Sequence, residues 1–314
     1  MPRAPRQITA TPAMIDALRK SPEAHKFGHG HALILSGGAG RTGAARLSAR
    51  GALRIGAGLV TLGVPGSAQL EVAAQITAVM LRRVDDGNAL TALLADARLN
   101  ALCLGPGLGL DGRAVALLAA ALGRSGDIEG IPPPPTPRGV GAGVGGAPRA
   151  VVLDADALTI LAGHPALFAA LHDRCVLTPH AGEFARLFPD IAEKLNAATK
   201  DALASRLDAT RAAAARAGSI VLLKGPETVI AAPDGRAAIN SATQGLAAPW
   251  LATAGSGDVL AGFVTGLLAR GFNPMQAAET GAWLHTECAR SFGPGLIAED
   301  IPEALPEVLR SLGL

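Results

Sequence analysis

The chain has 314 residues, of which 49% are hydrophobic and 17% charged, a balance typical of a globular protein with a substantial core. Its 28 Lys and Arg residues nearly match its 26 Asp and Glu residues, so the net charge of +2 argues against a basic surface for nucleic acid. No stretch reaches the about 18 apolar residues of a membrane-spanning helix, and the N-terminus lacks an apolar signal-peptide core. We therefore expect a cytoplasmic protein that binds neither nucleic acid nor membrane.

Short aliphatic runs alternate with longer helical patterns along most of the chain. The runs that predict buried strands are Ala32–Gly38, Gly58–Val64, Asn100–Gly107, Ala150–Asp156, Cys175–His180 and Ser219–Gly225. Strand–helix alternation predicts a mostly parallel sheet with helices on both faces. After Lys224, "TVIAAPDGRAAIN" predicts a hairpin that turns at "PDG", so the sheet should end in an antiparallel edge. The predicted fold class is α/β, in one domain of residues 1–314.

One segment, Gly123–Pro148, interrupts the alternation. Its proline and glycine content cannot build a core, so we predict a disordered surface insertion within the domain. The segment contains a formal G-x-G-x-x-G at Gly141, Gly143 and Gly146, but no strand precedes it and no helix follows it. We therefore reject a dinucleotide-binding fingerprint there. No G-x-x-x-x-G-K-[ST] occurs anywhere in the sequence, so a P-loop is excluded.

Potential metal and redox ligands lack the spacing that such sites require. His25, His29 and His31 lie close together, but no Cys or carboxylate accompanies them at the spacing of a zinc site. A polar loop is therefore favoured, and we predict no metal cluster. The cysteines lie far apart in apolar contexts without a C-x-x-C pair, which indicates buried thiols in a reducing compartment. They are Cys103, Cys175 and Cys288.

Chemically capable residues collect at the ends of the predicted strands, where α/β sheets bind ligands. "LGPGLG" (104–109) is as compatible with a tight turn as with close approach of the backbone to a ligand. For Asp154 and Asp156 a helix cap is favoured over a carboxylate near Mg²⁺ or phosphate. His180 in "LTPHAGEF" and Lys224 in "LLKGPETVIA" suit ordinary turns as well as contacts with a substrate or a nucleotide. None of these motifs decides a function alone.

The stretch "AGSGDVLAG" (254–262) places Asp258 between a glycine turn and a long apolar run. A carboxylate in the first turn of a helix commonly serves as a cap. The small residues before Asp258 can also turn their backbone N–H groups towards an anion. An acid beside an anion pocket indicates phosphate chemistry.

Taken together and in this order, the motifs resemble the ribokinase-like superfamily, and within it the ADP/ATP-dependent NAD(P)H-hydrate dehydratases. The resemblance rests on "GG", "TGAARL", "GPGLG", "DADAL", "LTPHAGEF", "LKGPETV" and "GSGDVLAG", and spans most of the chain outside the insertion. It implies a hydro-lyase that repairs hydrated NADH and NADPH. In the implied reaction, ADP or ATP, with Mg²⁺, phosphorylates the hydroxyl of the hydrated ring. Phosphate would then leave, the ring double bond would return, and AMP or ADP would remain.

The same resemblance implies roles for individual residues. Asp258 would take the hydroxyl proton, and would thus be both cap and catalyst. The residues expected to contact the hydrate are Ala44, Gly107, His180 and Asp258, and those expected to contact the nucleotide are Lys224, Gly225, Pro226, Glu227, Thr228 and Gly257. The chain departs from the family pattern at Ala254, where glycine is usual, and at Ala247 and Ala248, which replace a Gly-Asn pair. We expect these departures to affect efficiency more than function.

Two other functions stay open. A ribokinase-like kinase acting on a sugar or vitamin alcohol would share the anion pocket and the base, and "TPHAGEF" with "KGPET" favours the dehydratase over it. A non-catalytic nucleotide-binding protein is the second, and the retained Asp258 argues against it. Because only about thirty residues precede the first predicted strand, too few for a domain, we expect any NAD(P)H-hydrate epimerase to be a separate chain. We also expect a homo-oligomer.

Overall fold

A computed structural model describes residues 4–124, 148–197, 202–242 and 247–314, and these residues form one ten-stranded sheet flanked by helices. The strands are β1 (Arg6–Gln7), β2 (His31–Leu35), β3 (Leu59–Val64), β4 (Met80–Arg83), β5 (Leu99–Leu104), β6 (Ala150–Leu153), β7 (Cys175–Leu177), β8 (Ile220–Leu223), β9 (Glu227–Ala231) and β10 (Ala237–Ser241). Their order across the sheet is β1-β10-β9-β8-β7-β6-β5-β2-β3-β4. Strand β9 pairs antiparallel with β8 and β10, and the other pairs are parallel.

Every strand predicted from an aliphatic run forms, and the predicted hairpin is present as β9 and β10. Most of the strands stop short of their predicted ends, β2 at Leu35 rather than Gly38 and β6 at Leu153 rather than Asp156. Strands β1 and β4 were not predicted. Strand β1 has two exposed residues, and β4 reads "MLRR", so neither shows an apolar run. Because β1 pairs with β10, it lies outside the antiparallel hairpin at that edge.

The helices cover the sheet from both sides. They are α1 (Pro12–Leu18), α2 (Gly43–Arg54), α3 (Gln69–Ala73), α4 (Gly87–Leu93), α5 (Gly112–Ala121), α6 (Ala155–Gly163), α7 (Pro165–Phe168), α8 (Ala181–Leu187), α9 (Pro189–Ala197), α10 (Ala202–Ala217), α11 (Ser256–Ala269), α12 (Pro274–Phe292) and α13 (Asp300–Ser311). Within the described ranges, no helix combines the length and apolarity that crossing a membrane requires.

Alternate residues of each strand enter different layers of the core. In β2, Ala32 and Ile34 belong to the core layer that also holds residues of α2, α11, α12 and α13, whereas Leu33 and Leu35 belong to the layer that holds residues of α4, α5, α6 and α10. Both faces of the sheet are therefore buried, which explains why the strands appear in the sequence as continuous aliphatic runs. The predicted α/β class with helices on both faces is confirmed.

Helices α2 and α11 approach each other closely enough to bring their first turns together. A Cβ atom on Gly262 would lie 2.2 Å from the carbonyl oxygen of Ser48, so only glycine permits this approach. The Ser48 hydroxyl lies 2.8 Å from the Asp258 carbonyl oxygen and 3.2 Å from that of Ala44, and can donate to either. This packing places Asp258 beside the start of α2.

The predicted insertion at residues 123–148, including its G-x-G-x-x-G, falls outside the described residues except at its two ends. Helix α5 ends before it at Ala121, and β6 begins after it at Ala150. The insertion therefore stays a prediction.

Candidate active site

The carboxyl ends of β6, β7 and β8 meet around a buried ion pair. The Lys224 ammonium donates to Asp154 Oδ1 at 2.7 Å and lies 3.9 Å from Glu183 Oε2. The Thr178 hydroxyl donates to the same Asp154 oxygen at 2.9 Å, and Asp154 is 1% exposed. Burial alone would lower the pKa of Lys224, but the charges of Asp154 and Glu183 raise it above its usual value, so the ammonium stays protonated.

The helix-cap interpretation of Asp154 and Asp156 was wrong. Asp154 stands at the N-cap position of α6, yet its side chain makes no capping hydrogen bond because Lys224 and Thr178 bind it instead. Asp156 Oδ2 accepts from the Gly109 N–H at 2.8 Å and so fastens the end of "LGPGLG". Between the two acids, Ala155 has a φ of +44°, which is strained for a residue with a Cβ atom. This strained residue is the first of α6 and directly follows the N-cap position that Asp154 occupies.

Asp258 is the third residue of α11 and does not cap it. The N-cap is Gly255, whose φ of +88° only glycine adopts readily, and the Asp258 carboxylate accepts no hydrogen bond from the described residues. The capping part of the prediction was therefore wrong. Burial, and then the negative charge of Asp154, raise the pKa of Asp258 to about 6, against the opposing charge of Lys224. The result is a carboxylate without a structural hydrogen bond and with a pKa near neutrality, as general bases require.

The first turn of α11 forms a site for an anion. In the described part of the chain, no group accepts a hydrogen bond from the backbone N–H of Gly257 or Asp258. A Cβ atom on Gly257 would lie 3.3 Å from Lys224 Nζ, so the ammonium lies beside these N–H groups. Free N–H groups at a helix N-terminus and a neighbouring cation together favour a phosphate. The free N–H groups and the neighbouring ammonium are the features that the anion pocket expected from "AGSG" requires.

The replacement of the usual glycine by Ala254 does not distort this turn. Ala254 is exposed, and its φ lies outside the left-handed region, so its methyl group imposes no backbone strain. Gly255 supplies the positive φ that the turn needs. Trp250, which follows the substituted Gly-Asn position, is 47% exposed and borders a neighbouring groove with Ile297.

Two of the residues predicted to contact the hydrate meet at the tips of β5 and α2. A Cβ atom on Gly107 would lie 3.6 Å from Ala44 Cβ and 2.5 Å from the Arg41 carbonyl oxygen, and the φ of Gly107 is +62°. Gly37, from the "GG" motif, packs against the Gly107 carbonyl, since a Cβ atom there would lie 2.0 Å from that oxygen. These contacts leave no room for side chains, so the backbone itself lines this side of the site.

The third of these residues, His180, belongs to the cluster around Lys224. Its Nδ1 accepts from the N–H groups of Gly182 and Glu183 and caps α8, while the Glu183 carboxylate accepts from the His180 N–H at 2.8 Å. His180 Nε2 also lies 3.4 Å from Glu183 Oε1. Because the cap holds Nδ1, Nε2 is the ring nitrogen of His180 that can reach a ligand.

A cavity of about 310 Å³ opens beside Lys224, between β9, β10, α11 and α12. The predicted nucleotide contacts that line it are Lys224, Gly225, Pro226, Thr228 and Gly257. Glu227 begins β9 but does not line the cavity. Ala248, Leu251 and Leu260 give the cavity an apolar wall. Its volume is at the lower end of the range of small-molecule sites, roughly 300–1,000 Å³.

Arg206 is a residue of this site that the sequence did not reveal. From α10 its guanidinium donates to three carbonyl oxygens of the "LKGPE" turn, those of Leu223 at 3.0 Å, Lys224 at 2.6 Å and Glu227 at 3.1 Å. A Cβ atom on Gly225 would lie 2.7 Å from Arg206 Nη2, so the glycine makes room for the guanidinium. Asn240 and His285, which also line the cavity, were missed as well. In the sequence, Arg206 is one of several arginines in an alanine-rich helix, and nothing marks it out.

The other polar candidates have structural surroundings. His31 lies in β2 with Nε2 2.8 Å from Thr61 Oγ1, and Cys103, Cys175 and Cys288 are buried free thiols. Among the residues that the structure describes, no three or more His, Cys, Asp or Glu side chains are grouped as a metal site.

Comparison with known proteins agrees with this geometry. A family model described as NAD(P)H-hydrate dehydratase matches residues 32–126 and 143–305. The chain belongs to the NAD(P)H-hydrate dehydratase family. The resemblance inferred from the motifs is therefore confirmed, and the match covers all the predicted site residues.

The chain is similar to longer members of the family. It is 36% identical over 320 residues to a bifunctional NAD(P)H-hydrate repair enzyme of Moorella thermoacetica. This alignment covers 98% of this chain and 54% of the relative. It is 36% identical to the counterpart in Gloeobacter violaceus, over 85% of this chain and 46% of the relative. The chain thus spans about half the length of these curated relatives.

Solved structures of similar proteins share the fold. The ADP/ATP-dependent NAD(P)H-hydrate dehydratase of Bacillus subtilis, co-crystallised with ATP and Mg²⁺, superposes with a TM-score of 0.68 at 26% identity over 94% of each chain. A ribokinase-like superfamily protein of Enterococcus faecalis superposes with a TM-score of 0.73 at 22% identity, over 98% of this chain and 96% of that one. The ribokinase-like fold of the family is confirmed.

Proposed function

We propose that this chain repairs hydrated NADH and NADPH by ADP- or ATP-dependent dehydration, a hydro-lyase reaction. Membership of the NAD(P)H-hydrate dehydratase family supports this proposal. The observation that carries it is the position of Asp258. Its carboxylate makes no hydrogen bond within the described protein, has a pKa of about 6, and lies at an anion-binding helix end beside Lys224. A carboxylate that only stabilised the fold would be expected to have partners.

In the proposed reaction, Asp258 accepts the proton of the ring hydroxyl as the hydroxyl oxygen attacks the terminal phosphorus of ADP or ATP. The new P–O bond forms while the bond to the departing AMP or ADP breaks. The N–H groups of Gly257 and Asp258 and the Lys224 ammonium stabilise the charge on the transferring phosphoryl group. The C–O bond to the phosphate then breaks, the neighbouring ring carbon gives up a proton to solvent, and the double bond returns.

The two substrates would approach Asp258 from different sides. The residues proposed to contact the hydrate are Ala44, Gly107, His180 and Asp258, and those proposed to contact the nucleotide are Lys224, Gly225, Pro226, Glu227, Thr228 and Gly257. Contact of Ala44 with Gly107, and the opening of the cavity beside Lys224, support this division. Glu227 lies outside the cavity lining, so it would contact the nucleotide only through its backbone or at the rim.

Mg²⁺ would accompany the nucleotide. The described residues hold no ready-made group of three metal ligands, and the Asp154 carboxylate is engaged by Lys224. The nucleotide phosphates would therefore supply most of its ligands, and Asp156 and Glu183, whose charges both act on Asp258, are carboxylates of the cluster that could add to them. Bound there, Mg²⁺ would neutralise charge on the phosphates during transfer.

The test is to incubate the purified protein with hydrated NADH, Mg²⁺ and either ADP or ATP. We expect the absorbance of reduced nicotinamide to return and phosphate to be released in equal amount. A phosphorylated alcohol formed without recovery of NADH would instead indicate the small-molecule kinase. Nucleotide binding without any turnover would indicate the non-catalytic binding protein.

Several broader features are part of the same proposal. We infer that residues 1–314 form one domain, because the described strands share one sheet, with residues 123–148 as a dispensable insertion. Replacing residues 125–147 by a short Gly-Ser link should leave the melting temperature within a few degrees of the parent, and a large fall would refute the proposal that the insertion is dispensable.

Buried free thiols support a cytoplasmic location. A separate epimerase partner and a homo-oligomer stay predictions, which size-exclusion chromatography and pull-down experiments would test.

A further inference from the structure

The loop of residues 36–42 joins β2 to α2 and borders the side of the site proposed for the hydrate. Its Arg41 carbonyl oxygen would lie 2.5 Å from a Cβ atom on Gly107, so the loop contacts the tip of β5. Ala44 follows three residues later, in the first turn of α2. The conformation of this loop therefore sets where Ala44 lies relative to Gly107.

The sequence of the loop, "SGGAGRT", does little to fix its conformation. Glycine loses more conformational freedom on folding than any other residue, and Gly40 adopts a φ of +77°. At the start of the loop, the Ser36 N–H donates to the Gly63 carbonyl oxygen of β3 at 2.9 Å. Inside the loop, the Arg41 N–H donates to the Gly38 carbonyl oxygen at 3.1 Å. The second half of the loop therefore depends on contacts from outside.

Glu71, in α3, supplies these contacts. Its Oε2 accepts from the Gly40 N–H at 2.7 Å, and its Oε1 accepts from the Thr42 hydroxyl. The hydrogen bonds from Thr42 and Gly40 lower the pKa of Glu71 below its usual value. Glu71 is therefore ionised at neutral pH, and its two oxygens bind the residues on either side of Arg41.

The bond to Glu71 changes the role of Thr42. Thr42 stands at the N-cap position of α2 and is 1% exposed, yet its side chain makes no capping hydrogen bond. Its backbone is helical, with φ −87° and ψ −13°, rather than extended as in most caps. Among the described residues, no group accepts from the backbone N–H of Gly43, Ala44 or Ala45. The N–H of Ala44 is therefore free to donate to a ligand.

We propose that Glu71 is a positioning residue for the hydrate side of the site. By holding Gly40 and Thr42, it keeps the loop against the tip of β5 and leaves the Ala44 N–H free for the substrate. The inference rests on the proposed function, because it takes Ala44 as a hydrate contact. Glu71 acts through the loop, since both of its carboxylate oxygens are occupied by loop groups.

This role predicts a specific kinetic change when Glu71 is removed. The loop would contact the hydrate in the ground state and in the transition state alike, so its displacement should raise KM for the hydrate and leave kcat nearly unchanged. No residue of the loop lines the proposed nucleotide cavity, so the affinity for ADP should also be retained. A glutamate that only stabilised the fold would instead change the amount of folded protein, which lowers the apparent kcat and leaves KM unchanged.

The experiment compares Glu71→Ala with the parent, both as the full chain. Calorimetry measures the dissociation constant of hydrated NADH in the presence of AMP, which cannot act as the phosphoryl donor, and initial rates with ADP and Mg²⁺ give kcat and KM. We expect the dissociation constant and KM of the hydrate to rise about tenfold, and kcat and the affinity for ADP to stay within about threefold of the parent. An unchanged affinity for the hydrate would overturn the proposal, as would an equal weakening of hydrate and ADP.

Two further variants separate positioning from a general loss of structure. Glu71→Gln keeps an oxygen for the Gly40 N–H and an amide for the Thr42 hydroxyl, so we expect its affinity for the hydrate to stay within about threefold of the parent. Asp86→Ala removes a carboxylate that accepts from the Ala89 N–H at 2.8 Å and caps α4, the same kind of contact outside the loop. We expect this control to lose stability and keep its affinity for the hydrate. A weakening of the hydrate as large as in Glu71→Ala would overturn the proposal.

Thr42→Val tests whether Glu71 acts through the loop. The variant removes the hydroxyl and nearly keeps the shape, so we expect the affinity for the hydrate to fall about threefold or more. Combined with Glu71→Ala, it should weaken the hydrate no further than Glu71→Ala alone, because both changes break the same hydrogen bond. Fully additive losses would overturn the role of that bond. This variant also tests the proposal if Glu71→Ala does not fold.

The positioning role and the proposed function can fail separately. If Glu71→Ala binds the hydrate more weakly but the parent does not restore NADH, the positioning role stands and the proposed function fails. If the parent restores NADH and Glu71→Ala keeps the parent KM for the hydrate, the function stands and the positioning role fails. A parent protein that does not bind the hydrate would overturn both.

Discussion

Lys224 and Asp154 are 70 residues apart in sequence and form an ion pair of 2.7 Å at the carboxyl ends of β8 and β6. The pair does two things at once. It neutralises a carboxylate that is 1% exposed, and it holds the ammonium beside the first turn of α11. The "DAD" and "KGPET" motifs are thus halves of one cluster, and the proposed phosphate site depends on both.

Removing Lys224 should therefore cost more stability than breaking a surface pair. Lys224→Met leaves the Asp154 charge buried without its cation, and we expect the free energy of unfolding in urea to fall by about 3 kcal/mol or more. The control is Arg216→Met, which breaks the exposed pair with Asp190 and should cost about 1 kcal/mol or less. Equal losses in the two variants would contradict the buried-pair assignment.

The pKa of Asp258 predicts the acid limb of the activity profile. As a base, Asp258 must be ionised, and its pKa in the folded protein is raised to about 6. We expect kcat/KM for hydrated NADH at a fixed ADP concentration to fall as the pH decreases through about 6. An acid limb near the ordinary pKa of an aspartate, about 3.9, would show that burial does not act on the catalytic group.

The same shift predicts a pH-dependent stability difference. Because the pKa is raised on folding, the folded protein binds the Asp258 proton more tightly than the unfolded chain does. The stability that this protonation contributes is present at low pH and is lost as the pH rises through about 6. Asp258→Asn cannot titrate, so its stability relative to the parent should increase between about pH 4 and pH 6. A difference in stability that does not change with pH would contradict the raised pKa.

The contact of α2 with α11 predicts a strict requirement for glycine at position 262. In Gly262→Ala the new methyl group would lie 2.2 Å from the Ser48 carbonyl oxygen, so the helices must separate. We expect a loss of about 1–3 kcal/mol in unfolding free energy, with reduced turnover because Asp258 moves with α11. In the control Gly112→Ala, the methyl group meets nothing within 4 Å, and stability should be unchanged or slightly higher. Equal effects of both substitutions would refute the close packing.

Much of this structure can be predicted from short stretches of the sequence. Buried parallel strands need continuous aliphatic runs and hairpins need turn residues, so β2 and the β9–β10 pair were predictable. The glycine turn before Asp258 was likewise predictable, and Gly255 forms it as the N-cap of α11. The sequence did not show which group Asp154 contacts. Asp154 was predicted to cap a helix because a cap binds residues nearby in the sequence, whereas its partner Lys224 lies at the end of another strand.

Edge strand β4 and the supporting residue Arg206 could not be predicted for the same reason, because their contacts come from parts of the chain that are distant in the sequence. Strand β4 carries two arginines and is recognisable only by its pairing with β3. Arg206 supports the "LKGPE" turn from an alanine-rich helix that carries two further arginines, so nothing in the sequence marks it out. Its three carbonyl acceptors become visible only when α10 lies against β8 and β9.

The most direct test of the account compares Asp258→Asn with the parent protein on hydrated NADH, Mg²⁺ and ADP. The variant removes the proton acceptor but no hydrogen bond of the described structure. We expect it to fold, to be stabilised by ADP as the parent is, and to restore reduced nicotinamide about 10²-fold or more slowly. An Asn variant that binds ADP and repairs the hydrate at close to the parent rate would contradict the assignment of Asp258 as the catalytic base.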